Sequence, residues 1–195
     1  MPDEPQLRCF IALDLPEPIR AEAERVQLEL QELNLFKGRY TAPDNIHLTL
    51  KFLGSIPLST VEAVKSELMN IHLNAPTIRV ISAGMFAPRI VWVKLEGADK
   101  LQGVVDSTLE NHFKPETRFM GHLTIARVKS TSDPKTLAHA VEDLHVKRIE
   151  GQSVSFSLQQ SMLQPKGPKY VTLQRYKLGT GQMSQPHPTP PAADD

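Results

Sequence analysis

The sequence is poor in the features that mark a disulfide-stabilised or membrane-spanning protein. Its 195 residues include one cysteine, Cys9, so neither an intrachain disulfide nor a cysteine-based zinc cluster can form. No apolar run approaches the ~20 residues that a helix needs to cross a bilayer. The first eight residues hold Asp3 and Glu4 in place of the apolar core of a signal peptide. We therefore expect a cytoplasmic protein that does not associate with membranes.

An excess of charge of one sign is also lacking. Lysine and arginine number 22, aspartate and glutamate number 22, and the formal net charge is zero. Proteins that coat nucleic acid neutralise many phosphates at once and carry an excess of basic residues. The balance argues against such a coating protein, but it leaves room for an enzyme that binds one phosphate at the end of a strand.

What the sequence does contain is an alternation of strand and helix patterns that runs through the chain twice. Apolar and β-branched runs predict strands at 8–14, 46–53 and 78–81, then at 89–95, 122–128, 154–163 and 171–178. Helical spacing of apolar residues predicts helices through 19–33, after Ser59, through 101–109 and after Asp133. Three helix starts are expected: a capping box of Ser59 and Glu62, a cap at Asp99, and Asp133 followed by Pro134. Gly54 is expected to end the strand predicted at 46–53.

The two halves correspond most closely around two histidines. His47 stands twelve residues before Ser59, and His122 stands eleven residues before Asp133, so each histidine begins a similar strand–turn–helix unit. We interpret this as an internal duplication of about 7–84 and 88–163 within one domain, 1–180, with a final strand at 170–178. The proline-rich residues 181–195 cannot build a core, and we expect them to be disordered.

The segments that carry the chemistry are His-Leu-Thr-Leu at 47–50 and His-Leu-Thr-Ile at 122–125. Residues two apart on a strand point to the same face, so each segment presents a histidine beside a threonine with aliphatic residues behind them. Two such units would place two imidazoles and two hydroxyls around one cleft. A single His-x-Thr is weak support, because most such histidines are surface or packing residues, but its repetition before matched helices favours a site.

Those groups suit hydrolysis of a cyclic phosphodiester. Attack by water requires a base, departure of the ring oxygen requires an acid, and histidine can be either near neutral pH. The hydroxyls of Thr49 and Thr124 can donate to phosphate oxygens as charge builds on them. A zinc site is the competing interpretation, but catalytic zinc requires three protein ligands and the sequence marks no third. We therefore expect neither a metal nor another cofactor.

The sequence resembles the RNA 2′,3′-cyclic phosphodiesterases of the two-histidine (2H) phosphoesterase superfamily, historically called 2′-5′ RNA ligases. The resemblance extends over nearly the whole globular part. Its segments are Arg-Cys-Phe-Ile-Ala-Leu-Asp at 8–14, residues 44–54 around His47, Arg-Ile-Val-Trp at 89–92, residues 122–127 around His122, Ser-Met-Leu at 161–163 and Gly-Pro-Lys-Tyr at 167–170. One departure is Gly121, where the family often has proline, and we expect it to loosen the backbone that positions His122.

The resemblance implies an α+β fold of two pseudo-symmetric lobes, each a mainly antiparallel sheet with helices on its outer face, separated by a central cleft. It also implies hydrolysis of a terminal 2′,3′-cyclic phosphate to a 2′-phosphate, with His47 as proton donor and His122 as proton acceptor. The residues alone leave that assignment open, because the two motifs are equivalent. The expected partners are RNAs with a 2′,3′-cyclic phosphate end, including tRNA fragments, or cyclic nucleotides, and the expected state is a monomer. Binding of ATP or GTP in the cleft stays open.

Four further residues are candidate substrate contacts. Lys51 shares strand parity with His47 and is expected to face the cleft, although a solvent-facing lysine fits equally. Arg127 has the opposite parity to His122, so it reaches the cleft only through a bulge or a strand end. Phe10 can stack on the terminal base or pack in the core, and Tyr170 follows the Pro-Gly-Pro turn.

Two other functions fit the same residues. A binding module would hold RNA ends or a nucleotide without turnover, although binding alone does not need two titrating groups. A ligase would join 2′-5′ ends of tRNA halves at the same site as a side activity, with hydrolysis favoured by the excess of water. A turnover assay on a 2′,3′-cyclic nucleotide separates hydrolysis from binding.

Overall fold

The computed structural model describes residues 4–165 and 167–179. Their strands are β1 Gln6–Leu13, β2 Lys37–Tyr40, β3 Leu48–Pro57, β4 Thr77–Phe86, β5 Ile90–Glu96, β6 His122–Ser130, β7 Glu150–Gln152, β8 Ser155–Met162 and β9 Lys169–Lys177. The helices are α1 Glu17–Glu32, α2 Leu58–Leu68, α3 Asp99–Thr108 and α4 Pro134–Glu142, with a 3-10 turn at Pro43–Asn45. The tail at 181–195, expected to be disordered, lies outside the described residues.

The strands pair antiparallel in the order β7-β4-β5-β6-β3-β1-β8-β9, and β2 pairs with β6. The sheet is narrowest in its middle, where β3 and β6 pair at one position, Leu48 with Leu123. This single pair divides the sheet into two lobes, β3-β1-β8-β9 and β7-β4-β5-β6 with β2. The predicted α+β fold with mainly antiparallel strands is confirmed, and the two expected sheets are joined through this pair into one nine-stranded sheet.

The helices cover the face of each sheet that points away from the cleft. Helices α2 and α3 contact β3, whereas α1 contacts β6 and β7 and α4 contacts β4. Helix α1 therefore follows β1 in sequence but packs on the lobe that does not contain β1. Helix α3 likewise follows β5 but packs on the lobe that does not contain β5. Each lobe is a spatial unit built from both sequence segments. The internal duplication itself stays a prediction. Among the described residues, no helix is both long enough and apolar enough to span a membrane.

The apolar periodicity of the sequence defines the core. Helix α1 buries Ile19, Ala23, Val26 and Leu30 at a spacing of four and three, as predicted. Leu33, the last residue of that pattern, follows the helix and is 41% exposed. The packed face of the sheet is aliphatic, so the polar residues of the strands are left to line the cleft.

The predicted helix starts are right in one case of three. Asp133 caps α4 by accepting from the backbone N–H groups of Lys135 and Thr136, and Pro134 is the first helical residue. The Ser59 capping box is wrong, because α2 begins at Leu58 and the N–H and hydroxyl of Ser59 both donate to the Glu4 carboxylate. Asp99 is likewise the first residue of α3 and not its cap.

The predicted strands differ from the observed ones mainly at their ends. Strand β3 runs past Gly54 to Pro57, because the ladder with β1, interrupted at Leu53, resumes at Gly54, which pairs with Cys9 and adopts a positive φ of 78°. Strands β2 and β7 were not predicted. They have four and three residues, include exposed polar positions, and are held by pairing with β6 and β4. Such short segments carry no alternation that a sequence pattern can detect.

Candidate active site

The two histidine motifs meet where the lobes join. Leu48 and Leu123 are paired and fully buried, and they occupy the same position in the two motifs. The neighbours of these leucines point to the opposite face of the sheet. His47, directly before β3, and Thr49 on β3 therefore face the cleft, and His122 and Thr124 face it from β6. All four line one cavity of about 510 Å³.

Both imidazoles are oriented by the same backbone contact. His47 Nδ1 lies 2.7 Å from the carbonyl oxygen of Asn45, and His122 Nδ1 lies 2.8 Å from that of Met120. A carbonyl oxygen only accepts, so each Nδ1 carries the proton and donates. In both rings Nε2 is therefore the nitrogen free for proton transfer. Such orientation through the second ring nitrogen fixes the tautomer of a working histidine.

Thr49 contacts the working nitrogen of its own motif. Its Oγ1 lies 3.0 Å from His47 Nε2. When the imidazole is neutral, the Thr49 hydroxyl donates to Nε2. When the imidazole is protonated, Nε2–H donates to the hydroxyl oxygen, and the hydroxyl hydrogen can be donated to another acceptor. Protonation of His47 thus leaves Thr49 free to donate to a bound anion.

The electrostatic surroundings of His47 favour its neutral form. Burial lowers the pKa of His47, and the charge of the nearby Arg127, with that of His122 whenever it is protonated, lowers it further. The hydrogen bond to Asn45 opposes this shift but does not cancel it. His47 of the free protein is therefore neutral at pH 7, and a bound anion would restore its protonated form.

Aromatic rings pack against both histidines. The His47 ring lies 4.8 Å from that of Phe10 and 5.0 Å, edge-on, from that of Tyr170, while Phe86 packs edge-on against His122 at 5.3 Å. Phe10 is only 4% exposed, yet its ring lines the cleft and packs against His47 and Tyr170. Its role in stacking on a base stays a prediction. Tyr170 lines the cleft as expected.

A bulge in β3 overturns the expectation for Lys51. Ile11 pairs with Lys51 and Ala12 with Thr49, so Leu50 is an extra residue and the side-chain alternation reverses after it. Lys51 consequently points into the core, where it is 5% exposed and donates to the Asp106 carboxylate and the Lys114 carbonyl oxygen. The prediction that Lys51 faces the cleft is wrong, because strand parity does not survive a bulge.

The matching bulge in β6 brings Arg127 into the cleft. Val91 pairs with Ala126 and Trp92 with Thr124, so Ile125 is the extra residue. The bulge returns Arg127 to the face of His122, where Arg127 lines the cavity. A bulge was one of the two ways, with a strand end, in which the sequence allowed Arg127 to reach the cleft. The equivalent of Arg127 in the first motif is Phe52. Each stands five residues after its histidine, and both line the cleft.

The cleft is positively charged although the chain is neutral overall. Arg8, Arg39 and Arg127 line it, and its lining includes no carboxylate side chain within the part of the chain that the structure describes. These arginines are absent from the ion pairs between described residues. Their uncompensated charge suits a ligand that carries phosphate.

Sequence reasoning missed the cleft residues Arg8, Arg39 and Phe52, and it missed Phe86, which packs against His122. Arg8 and Arg39 lie on strands whose pairing with β3 and β6 the sequence does not reveal. Phe52 carried a usable signal, because its offset of five from His47 equals that of Arg127 from His122. In residues 4–165 and 167–179, no three His, Cys, Asp or Glu side chains gather as a metal-binding group.

The chain was compared with known families and proteins. The family model described as LigT like Phosphoesterase matches residues 13–92. The RNA 2′,3′-cyclic phosphodiesterase of Methanothermobacter thermautotrophicus is 30% identical over 185 residues, which cover 89% of this chain and 100% of that protein. The chain belongs to the LigT-like phosphoesterase family.

Solved structures agree with the LigT-like assignment. The Thermus thermophilus protein TT0787 is 27% identical, with a TM-score of 0.68 and coverage of 90% of this chain and 100% of that one. Escherichia coli LigT complexed with NADP+ is 26% identical, with a TM-score of 0.66 and coverage of 91% and 100%. The likeness therefore spans both lobes and the cleft between them.

Proposed function

We propose that the protein hydrolyses the 2′,3′-cyclic phosphate at the end of an RNA to a 2′-phosphate by metal-independent acid–base catalysis. The observation that carries this proposal is the meeting of two Nε2 atoms and two threonine hydroxyls in one cleft lined by three arginines. The shared family with RNA 2′,3′-cyclic phosphodiesterases supports the substrate, and the NADP+ complex of E. coli LigT supports a nucleotide ligand.

In the proposed reaction His122 is the base and His47 the acid. His122 Nε2 takes a proton from water as its oxygen bonds to phosphorus, and the bond between phosphorus and the ribose 3′ oxygen breaks. His47 Nε2–H gives its proton to that leaving oxygen. The products are a 2′-phosphate and a free 3′ hydroxyl, and the next cycle begins once the proton on His122 has returned to His47 through solvent.

The neutral state of His47 in the free protein is compatible with an acid role once substrate binds. The anionic phosphate favours imidazolium next to it and counteracts the lowering that burial and Arg127 impose on the pKa of His47. Protonated His47 also frees the Thr49 hydroxyl to donate to a non-bridging oxygen. Thr124 supplies the corresponding donor from the other lobe.

The histidine roles are tested by single substitutions. His47→Ala and His122→Ala should each lower kcat on a 2′,3′-cyclic phosphate by about 10²–10⁴-fold, because each positioned proton transfer contributes on that order. His139→Ala, which removes an exposed histidine of α4 far from the motifs, is the matched control. EDTA should leave all rates unchanged. Full activity in either motif variant, or loss of activity with EDTA, would refute the proposal.

A further inference from the structure

A smaller cavity adjoins the cleft on the other side of His47, and we call it the second chamber. Its volume is about 210 Å³. Phe10, His47 and Tyr170 line both the cleft and the second chamber, so these three side chains form the wall between them. The proposed acid of the reaction therefore borders two cavities, and the reaction described above uses only one of them.

Two polar side chains of the second chamber are held in fixed orientations. The amide nitrogen of Gln159 donates to the hydroxyl oxygens of Ser157, 2.8 Å away, and of Thr172, 2.9 Å away. Ser157 in turn donates to the Asp14 carboxylate, 3.0 Å away. Both amide hydrogens of Gln159 are thereby used, so its carbonyl oxygen is left to accept and the Thr172 hydroxyl is left to donate. Gln159 and Thr172 both line the chamber, which thus presents an acceptor beside a donor.

The charges around the second chamber nearly balance. Arg20 and Arg175 line it together with Asp14 and Asp44. Arg175 Nε lies 2.9 Å from the Asp14 carboxylate, so part of the positive charge is already paired. A bare phosphate would gain less here than in the cleft, where the arginines have no such partner among the described residues. An uncharged ligand with hydrogen-bonding groups fits the chamber better.

The proposed reaction determines which part of an RNA lies next to this chamber. His47 gives its proton to the departing 3′ oxygen, so the 3′ carbon of the ribose lies on the side of His47. The 4′ and 5′ carbons, which lead to the preceding nucleotide, are bonded on that same side. The base is attached through the 1′ carbon, on the side of the 2′ oxygen. The RNA chain therefore leaves the reaction centre beside His47, where the second chamber begins.

We infer that the second chamber binds the nucleoside that precedes the terminal nucleotide of the RNA. Nucleosides carry donors and acceptors on the ribose hydroxyls and on the base edges, which match the Gln159 carbonyl and the Thr172 hydroxyl. The enzyme then acts on an RNA end of two or more nucleotides in preference to a cyclic mononucleotide. The inference rests on the proposed function, because it takes the 3′ oxygen to lie at His47.

Steady-state kinetics on a mononucleotide and a dinucleotide test the chamber. For the wild type, kcat/KM on adenylyl-adenosine 2′,3′-cyclic phosphate should exceed that on adenosine 2′,3′-cyclic phosphate on the order of 10-fold, the size of one or two net hydrogen bonds. Thr172→Val keeps the shape of an exposed side chain but removes its donor. It should reduce this advantage by about 2–10-fold and leave the mononucleotide rate unchanged. Gln174→Leu, on the same strand but outside the chamber lining, is the control.

Binding of product analogues keeps the inference independent of turnover. Calorimetry should give adenylyl-adenosine 2′-monophosphate a Kd lower than that of adenosine 2′-monophosphate, on the order of 10-fold. Adenosine 2′,5′-bisphosphate adds the linking phosphate without the nucleoside and should recover little of that gain. Equal Kd values for the first two ligands, a full gain with the bisphosphate, or an advantage that Thr172→Val leaves unchanged would overturn the inference. Failure of the wild type to hydrolyse any cyclic phosphate would instead refute the proposed function.

Discussion

At the scale of single residues, the proposed catalysis depends on how protons are held on His47. Burial first, and then the charge of Arg127 and that of His122 whenever it is protonated, lower the pKa of His47 below the ~6.5 of an ordinary histidine. The sign follows directly: at a given pH the free protein holds less imidazolium at this position than an unfolded chain would. Removing Arg127 removes one of the positive charges and should raise the pKa.

NMR titration of the histidine ring protons measures this shift. We expect the midpoint of His47 below the ~6.5 of an ordinary histidine, and we expect it to rise in Arg127→Met. The pH–rate profile of kcat/KM reports the catalytic acid of the free enzyme, and that of kcat reports the acid of the enzyme–substrate complex. We expect kcat/KM to fall off on the alkaline side at a lower pH than kcat does. Because the two histidines interact, the apparent pKa values of these profiles belong to the pair and not to one residue. A midpoint of His47 at or above ~6.5, unmoved by Arg127→Met, would contradict this description.

Gly121 shows how a single residue supports the site. A Cβ on this glycine would lie 2.7 Å from the carbonyl oxygen of Leu95, and the carbonyl oxygen of Gly121 accepts from the Leu95 N–H. These contacts place β5 directly against this backbone, and the expected looseness of His122 stays a prediction. Gly121→Ala must displace the backbone that orients His122 and should lower kcat about 10-fold or more, because small misplacements of catalytic groups are costly.

The control for Gly121 is Gly103→Ala, because a Cβ on that helical glycine meets nothing within 4 Å. Circular dichroism should show that both variants fold. Wild-type kcat in Gly121→Ala would show that the close contact with Leu95 does not position His122.

At the scale of elements, the two bulges decide which residues reach the cleft. Sequence periodicity located β3 and β6 and the His-x-Thr faces, because alternation is strict up to Thr49 and Thr124. Beyond those residues the prediction from strand alternation was wrong for Lys51. The position of a bulge depends on tertiary pairing of the strands and cannot be detected in the hydrophobic pattern. Phe52 was missed for the same reason. The cap predicted for α2 was wrong for a similar reason, because the carboxylate of Glu4, distant in sequence, accepts from the backbone of α2 in place of a local cap.

The bulge of β3 is held by a buried ion pair to α3. Asp106 accepts from Lys51, the Gln102 amide and the backbone N–H of Glu116, and the side chains of Lys51 and Asp106 are 5% and 9% exposed. Burial opposes ionisation of Asp106, but these hydrogen bonds outweigh it and keep the pKa of Asp106 below its ordinary value. The ionised Asp106 carboxylate therefore stabilises the fold fully above pH ~4, the pKa of an aspartate in an unfolded chain. This stabilisation is lost as the pH falls through the lower pKa of Asp106 in the folded state.

Substitution of the ion pair should separate the charge from the packing. Asp106→Ala leaves the Lys51 ammonium buried without a partner and should lower the free energy of unfolding by about 3–5 kcal/mol. Lys51→Met with Asp106→Leu replaces both charges by apolar groups and should recover much of that loss. Urea denaturation at pH 7 measures both, with Glu150→Ala, at the exposed Arg79 ion pair, as control. A loss no larger for Asp106→Ala than for Glu150→Ala would contradict the proposed importance of the pair.

At the scale of the whole molecule, the lobes and the charge distribution were predictable only in part. The repeated strand–helix order and the family resemblance indicated two lobes and a cleft. They did not show that α1 and α3 cross to the opposite lobe, because helix destination depends on packing between elements far apart in sequence. The net charge of zero likewise concealed a cleft whose three arginines come from β1, β2 and β6. These strands come together only in the folded sheet, where β2 pairs with β6 and β3 lies between β6 and β1.

The central claim is that two imidazoles act on one phosphorus centre from opposite lobes. A crystal structure of the protein with a nucleoside 2′-monophosphate tests it most directly. We predict the Nε2 atoms of both His47 and His122 within about 3 Å of oxygens that belong to the reacting end of the same nucleotide. A phosphate bound by one histidine alone, with the other ring directed away from the nucleotide, would contradict the account.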